Sequence, residues 1–251
     1  MRNDSTTSPA RAAQSADTAV LLIHGFTGSR VSLAPWAEAL NSAGYPTAAP
    51  ALPGHETRWQ DLLRVPYRQW IQATEQAFDE LAATYDHVFV AGLSMGGALA
   101  LHLATRRHVA GLLLVNPGLV IDSPVAPYAR FIHRMVRSVA PISNDIALAG
   151  ADEAAYPRTP VAAVAQLHQL FAQTRARLAL VDAPILLFRS TKDNVVSEAS
   201  VQALLAGLDP ELPVQRVALE RSQHVATLDY DAELIFQRSI EFLRDQPADQ
   251  K

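Results

Sequence analysis

Apolar positions along the chain keep two rhythms. Short, almost continuous apolar runs at 19–23, 46–49, 87–91, 111–115, 184–188 and 214–219 read as strands. Longer stretches near 32–42, 67–84, 95–107, 197–206 and 231–244 repeat their apolar residues at helical spacing. Alternation of the two is the pattern of repeated strand–helix–strand units and predicts a mostly parallel sheet. Several runs carry no polar face, which suits strands covered by helices on both sides. The last helical stretch has Asp231 and Glu233 in its first turn and Arg244 near its end, the polarity the helix dipole favours.

The alternation stops between Pro117 and Asp182. No strand is predicted there, and two amphipathic patterns take its place. One sets Tyr128, Phe131, Ile132, Met135, Val136 and Val139 on one side. The other begins with Thr159 as N-cap and Pro160 at the first helical position, then presents Val161, Val164, Leu167, Phe171 and Leu178. An insertion at about 118–182 after a mid-sheet strand is expected to form a small helical cap over the sheet's C-terminal edge, where open α/β sheets bind ligands. The expected organisation is a flexible tail over 1–17, polar and lacking the apolar stretch of a secretory signal, followed by a single domain over 18–251.

Composition narrows the function classes. Of 251 residues, 49% are hydrophobic and 18% charged, with a formal charge of −4, so nothing resembles the basic footprint of a nucleic-acid binder. There is no cysteine, which excludes disulfides, a thiol nucleophile and thiolate metal sites. No apolar run is long enough for a bilayer span, and neither metal-ligand spacing nor a phosphate-cradling loop occurs. The expectation is a cytoplasmic protein, monomer or weak homodimer, with no metal, cofactor, nucleic-acid partner or stable membrane insertion.

The chemistry concentrates in three places. Residues 88–98, VFVAGLSMGGA, run from an apolar strand through a turn into an apolar helix, the setting in which Gly-x-Ser-x-Gly presents a nucleophile. A serine hydroxyl needs a base to take its proton, so Ser94 must protrude from a sharp turn, and Gly92 and Gly96 remove side chains that would collide across it. Upstream, VLLIHGFTG (20–28) is a strand followed by a glycine-rich loop containing Gly25. That loop and the residue after the serine nominate the backbone N–H groups of Phe26 and Met95 as an oxyanion hole. His24 precedes the serine and is read as orienting this loop. Downstream, Asp193 follows the strand at 184–188 and His224 follows the last strand. In the chain order serine, acid, histidine these complete a triad, with Asp193 fixing the tautomer of His224. Asp182, Asp209 and Glu211 fall at the opposite sheet edge, and Glu198 opens a helix. His55, in Pro53-Gly54-His55-Glu56, is read as structural.

With those residues in place, the chain resembles the small bacterial carboxylesterases related to monoacylglycerol lipases, within the α/β-hydrolase superfamily. The likeness runs from about Ala19 to Leu243 and rests on LLIHGFTGS (21–29), AGLSMGG (91–97), RSTKDNVV (189–196) and SQHVATLD (222–229). It departs at Gln223, where many members carry glycine before the histidine. The resemblance implies cofactor-free hydrolysis of short- to medium-chain acyl esters through an acyl-enzyme on Ser94, under a small helical lid. A monoacylglycerol lipase, lysophospholipase or thioesterase would use the same residues. A ligand-binding module with a hydrolase pocket is the reading from another class, and an aspartate would be expected at position 94 in a halide-processing enzyme.

Overall fold

The computed structural model describes residues 17–122, 136–142 and 144–246. Six strands form one sheet, all neighbours parallel: β1 (Thr18–Ile23), β2 (Thr47–Ala48), β3 (His87–Leu93), β4 (Gly111–Val115), β7 (Ile185–Ser190) and β8 (Val214–Leu219). Their spatial order is β2-β1-β3-β4-β7-β8. The remaining strands, β5 (Ser138–Val139) and β6 (Thr159–Pro160), pair antiparallel with each other.

The sheet sorts its side chains by parity. Leu21, Val90, Leu112 and Leu187 face α2 (Tyr67–Ala82), α3 (Met95–Ala104) and α5 (Glu198–Gly207). Val20, Phe89, Leu113 and Phe188 face α1 (Ala34–Ser42) and α6 (Ala232–Asp245). Two fully buried tryptophans anchor these layers, each worth up to about 3 kcal/mol of apolar burial. Trp36 Nε1 donates to Ser239 Oγ at 3.1 Å, tying α1 to α6. Trp70 Nε1 donates to the Pro53 carbonyl at 3.0 Å, which fastens the loop after β2.

Element ends differ from the sequence expectation for identifiable reasons. β3 and β7 continue two residues past the apolar runs, because parallel neighbours supply ladder partners as far as Leu93↔Val115 and Ser190↔Leu219. The stretch at 32–42 splits into a 3-10 turn, Arg30–Leu33, capped by Ser29, and then α1 with proline in its first turn. Asp17, expected in the tail, already accepts a hydrogen bond from His87 N–H at 3.0 Å.

The inserted segment departs most. Two short strands stand where none was expected. Thr159 is not an N-cap and Pro160 is not the first helical residue: the pair forms β6, and α4 (Val161–Arg175) starts one residue later with Pro160 as its cap. A proline φ of −71° serves extended and helical backbone alike, and the residue before proline is pushed toward extended geometry, so pairing with β5 decides the boundary. Leu178 belongs to a separate 3-10 turn, Leu178–Leu180. Of the first amphipathic pattern, Tyr128, Phe131, Ile132 and Met135 lie outside the described residues, as do positions 1–16. Val136 and Val139 are exposed, with Val139 in β5 rather than on a helix face. α4 buries Leu170 and Phe171 in the core against α3, while Val164, Leu167 and Phe171 also wall a cavity above the sheet edge.

Candidate active site

Ser94 occupies the turn between β3 and α3 with φ 56° and ψ −116°. A non-glycine residue in that region stores on the order of 1–3 kcal/mol and persists only if its surroundings fix it. Here they do. Its N–H donates to Val115 O at 3.0 Å, and its carbonyl accepts from Gly97 N–H at 3.0 Å and Gly118 N–H at 3.1 Å. The glycines are there for space: a methyl group on Gly92 would overlap the Gly96 backbone, and one on Gly96 would overlap the Ile23 carbonyl. One on Gly97 would sit 2.8 Å from Pro117 Cβ.

The loop after β1 lies against this turn, so close that a Cβ on Gly25 would be 3.5 Å from Ser94 Cβ. Two buried histidines hold it. His24 Nδ1 donates to Gly25 O at 2.9 Å and Nε2 accepts from Leu52 N–H at 3.3 Å. His55 Nε2 accepts from Thr27 N–H at 3.2 Å, and its Nδ1 donates to Pro53 O at 3.3 Å. Burial drives both pKa values down, to about 4 for His24 and about 3 for His55, where the neighbouring His24 ring adds to the effect. Both rings are therefore neutral and can accept those backbone protons. Among the described residues, no hydrogen bond commits the N–H of Phe26 or of Met95, the first residue of α3.

Asp193 and His224 come from the loops after β7 and β8. His224 Nδ1 stands 3.0 Å from Asp193 Oδ2. The Asp193 side chain is fully buried and accepts three further bonds: Arg189 Nη1 on Oδ2 at 2.6 Å, and the N–H groups of Val195 and Val196 on Oδ1 at 2.9 and 2.8 Å. Burial pushes this carboxyl up, but the hydrogen bond and charge of His224 together with the backbone donors outweigh it, leaving the pKa below the ordinary value. An ionised Asp193 requires the proton on Nδ1 and leaves Nε2 free to accept. Ser94 and His224 line one cavity of about 320 Å³ with Gly25 and Phe26. Among the described residues no hydrogen bond joins Ser94 Oγ to His224, as is common for such pairs in structures without substrate.

Val120, Ile121, Ile142 and Val225 make further walls of the cavity apolar. Glu153 also lines it, is buried, and has its pKa raised by that burial. One carboxyl oxygen accepts from Asn144 N–H at 2.6 Å, while the other lies beside Gly28. Sequence reasoning overlooked Glu153, Arg189, Asn116 and Asp145. Arg189 sits in the same short motif as Asp193, four residues earlier, which was its one visible signal. Among the described residues no cluster of three metal-ligating side chains occurs and no helix is long and apolar enough to cross a membrane.

A parallel sheet covered on both faces, with a strained serine at a strand-to-helix elbow on its C-terminal edge and a hydrogen-bonded acid–histidine pair beside it, defines the α/β-hydrolase class of enzymes. The chain belongs to the Hydrolase_4 family, described as serine aminopeptidase, S33, which it matches over residues 14–229. It is 36% identical to the thermostable monoacylglycerol lipase of Bacillus sp. (strain H-257), over 92% of each chain. It is 26% identical to a carboxylesterase of Bacillus subtilis (strain 168), over 90% of this chain and 92% of that one. A solved structure described with LipS and LipT, two metagenome-derived lipolytic enzymes, superposes with a TM-score of 0.86 at 35% identity, covering 91% of this chain and 94% of the other. Family and relatives together make this protein a serine ester hydrolase.

Proposed function

We propose that the protein hydrolyses short- to medium-chain acyl esters through an acyl-enzyme on Ser94. The observation that carries this is the shared cavity: Ser94 and His224 wall it together, while the far side of the imidazole is hydrogen-bonded to a buried carboxylate. His224 Nε2 takes the Ser94 proton as Oγ attacks the ester carbonyl. The N–H groups of Phe26 and Met95 hold the resulting oxyanion, each worth a few kcal/mol. His224 returns the proton to the departing alcohol, then activates the water that releases the acid. The inserted segment acts as a cap: Val164, Leu167 and Phe171 surround the acyl chain, which gains up to about 0.8 kcal/mol per CH₂ buried.

A monoacylglycerol as substrate is favoured by one feature. Glu153 puts a hydrogen-bonding carboxyl whose charged form is disfavoured into a cavity with largely apolar walls whose other carboxylates are Asp122 and Asp145, suited to a neutral polyol rather than a phosphate. Kinetics over p-nitrophenyl esters from acetate to palmitate, with monobutyrin, monolaurin and a lysophospholipid alongside, test both readings. kcat/KM should peak at a short or medium chain and favour the monoglycerides over the lysophospholipid. Absence of turnover on every ester would overturn the proposal; a preference for the lysophospholipid would overturn the glyceride reading.

A further inference from the structure

Gln223 and His224 have four backbone polar groups, and each is held by a different side chain. Gln223 N–H donates to Asp229 Oδ2 at 2.8 Å, and its carbonyl accepts from Ser190 Oγ at 2.8 Å. The His224 carbonyl accepts from Asn116 Nδ2 at 2.8 Å. His224 N–H donates to Asp145 Oδ2 at 3.1 Å. Asn116 and Ser190 stand at the ends of β4 and β7, and Asp229 follows in the same loop. Asp145 alone arrives from the inserted segment.

The carboxylate of Asp145 reaches the other loop too. It accepts from Asn194 N–H at 3.0 Å and from Asn194 Nδ2 at 2.8 Å, one residue beyond Asp193. Its own carbonyl accepts from Val225 N–H at 3.1 Å. Asp229 answers from the opposite side, taking the N–H groups of Ala147 and Leu148 at 2.8 and 2.9 Å. Asp145 also lines the cavity it would help to order.

We propose that Asp145 is a positioning residue for the hydrolysis: it fixes the spacing between the loops that carry Asp193 and His224, and so makes their geometry depend on the inserted segment. This rests on the reading of Ser94, Asp193 and His224 given above. The two loops leave separate strands, and a single carboxylate accepting N–H groups from both is a charge-assisted brace between them. Catalytic groups need placement to within a fraction of an ångström, so releasing the brace should cost turnover rather than binding.

The test compares Asp145→Ala and Asp145→Asn with the wild type on p-nitrophenyl butyrate, together with the inactivation rate by a fluorophosphonate and the melting temperature. D145A should lower kcat and the inactivation rate roughly 10- to 100-fold while KM stays within about threefold. D145N keeps one oxygen for His224 N–H and should recover kcat to within about fivefold of wild type. If D145A does not fold, Asn194→Ala takes its place, since it removes the Nδ2 donor and should lower kcat several-fold at constant KM. Unchanged kcat and inactivation rate in the folded variants, with only a lower melting temperature or a raised KM, would overturn the proposal. A wild type that neither hydrolyses the ester nor reacts with the fluorophosphonate would instead overturn the reading of the site.

Discussion

Replacing Asp193 by asparagine isolates the electrostatic demand of the site, because the side chain keeps its shape and loses one acceptor. In the native structure Oδ1 accepts two backbone N–H groups, and Oδ2 accepts from Arg189 Nη1 and His224 Nδ1. An asparagine that satisfies the N–H groups of Val195 and Val196 with its oxygen must turn its amide hydrogens toward Arg189 and His224. The histidine can respond only by accepting at Nδ1, which moves its proton to Nε2 and removes the base that the proposed mechanism requires for Ser94. The cost of that tautomer reversal is about 10³- to 10⁴-fold in kcat, or roughly 4–5 kcal/mol of transition-state stabilisation. The half-met guanidinium adds a second loss. Arg189 is only 15% exposed at its side chain, and stripping its partner from a buried pair should cost about 3 kcal/mol of stability. Steady-state hydrolysis of p-nitrophenyl butyrate and thermal unfolding of the same preparation measure the two effects. A folded Asp193→Asn enzyme within tenfold of wild-type kcat would refute the reasoning.

Other expectations follow from the same geometry. Gly96→Ala drives a methyl into the Ile23 carbonyl and should cost more than about 3 kcal/mol, whereas Gly150→Ala meets nothing within 4 Å and carries only the strain of φ 85°, about 1 kcal/mol; chemical denaturation of the two variants should rank them in that order. Acid should destabilise the fold early. His24 and His55 are neutral when folded but take up protons near pH 6.5 when unfolded, so their contribution is complete above pH 6.5 and is lost as pH falls toward about 4 and about 3, some 3 kcal/mol for His24 alone. Glu56, held down to about 2 chiefly by Arg30, and Asp193 add their losses only below the ordinary carboxylate range. A melting temperature that stays flat between pH 6.5 and about pH 5 would contradict the assignment of neutral, proton-accepting histidines.

What could be read from the chain alone follows the range of each interaction. The parity of the strands and the elbow around Ser94 are local, since Gly92 and Gly96 announce a backbone too tight for side chains within a five-residue window. Strand order then sets the loops of Asp193 and His224 at the same sheet edge as Ser94, because successive parallel strands all end on one side. Long-range bonds left no such trace. Asn116 reaches Ser190 and His224 across 74 and 108 residues, and Asp145 reaches His224 across 79. Each of these is a polar residue in a polar loop, indistinguishable in sequence from a solvated one. The start of α4 was misread for another reason: Pro160 has the same φ in either conformation, and its partner strand β5 is only two residues long, too short to show a period.

The central claim is that Ser94 is the nucleophile, and covalent capture tests it most directly. Wild-type protein treated with a fluorophosphonate should gain one adduct, mapped by peptide mass spectrometry to Ser94, in step with the loss of p-nitrophenyl butyrate hydrolysis. Ser94→Ala should take up no adduct and hydrolyse the ester at background rate. Labelling at another serine, or a Ser94→Ala variant that still turns over the ester, would contradict the account.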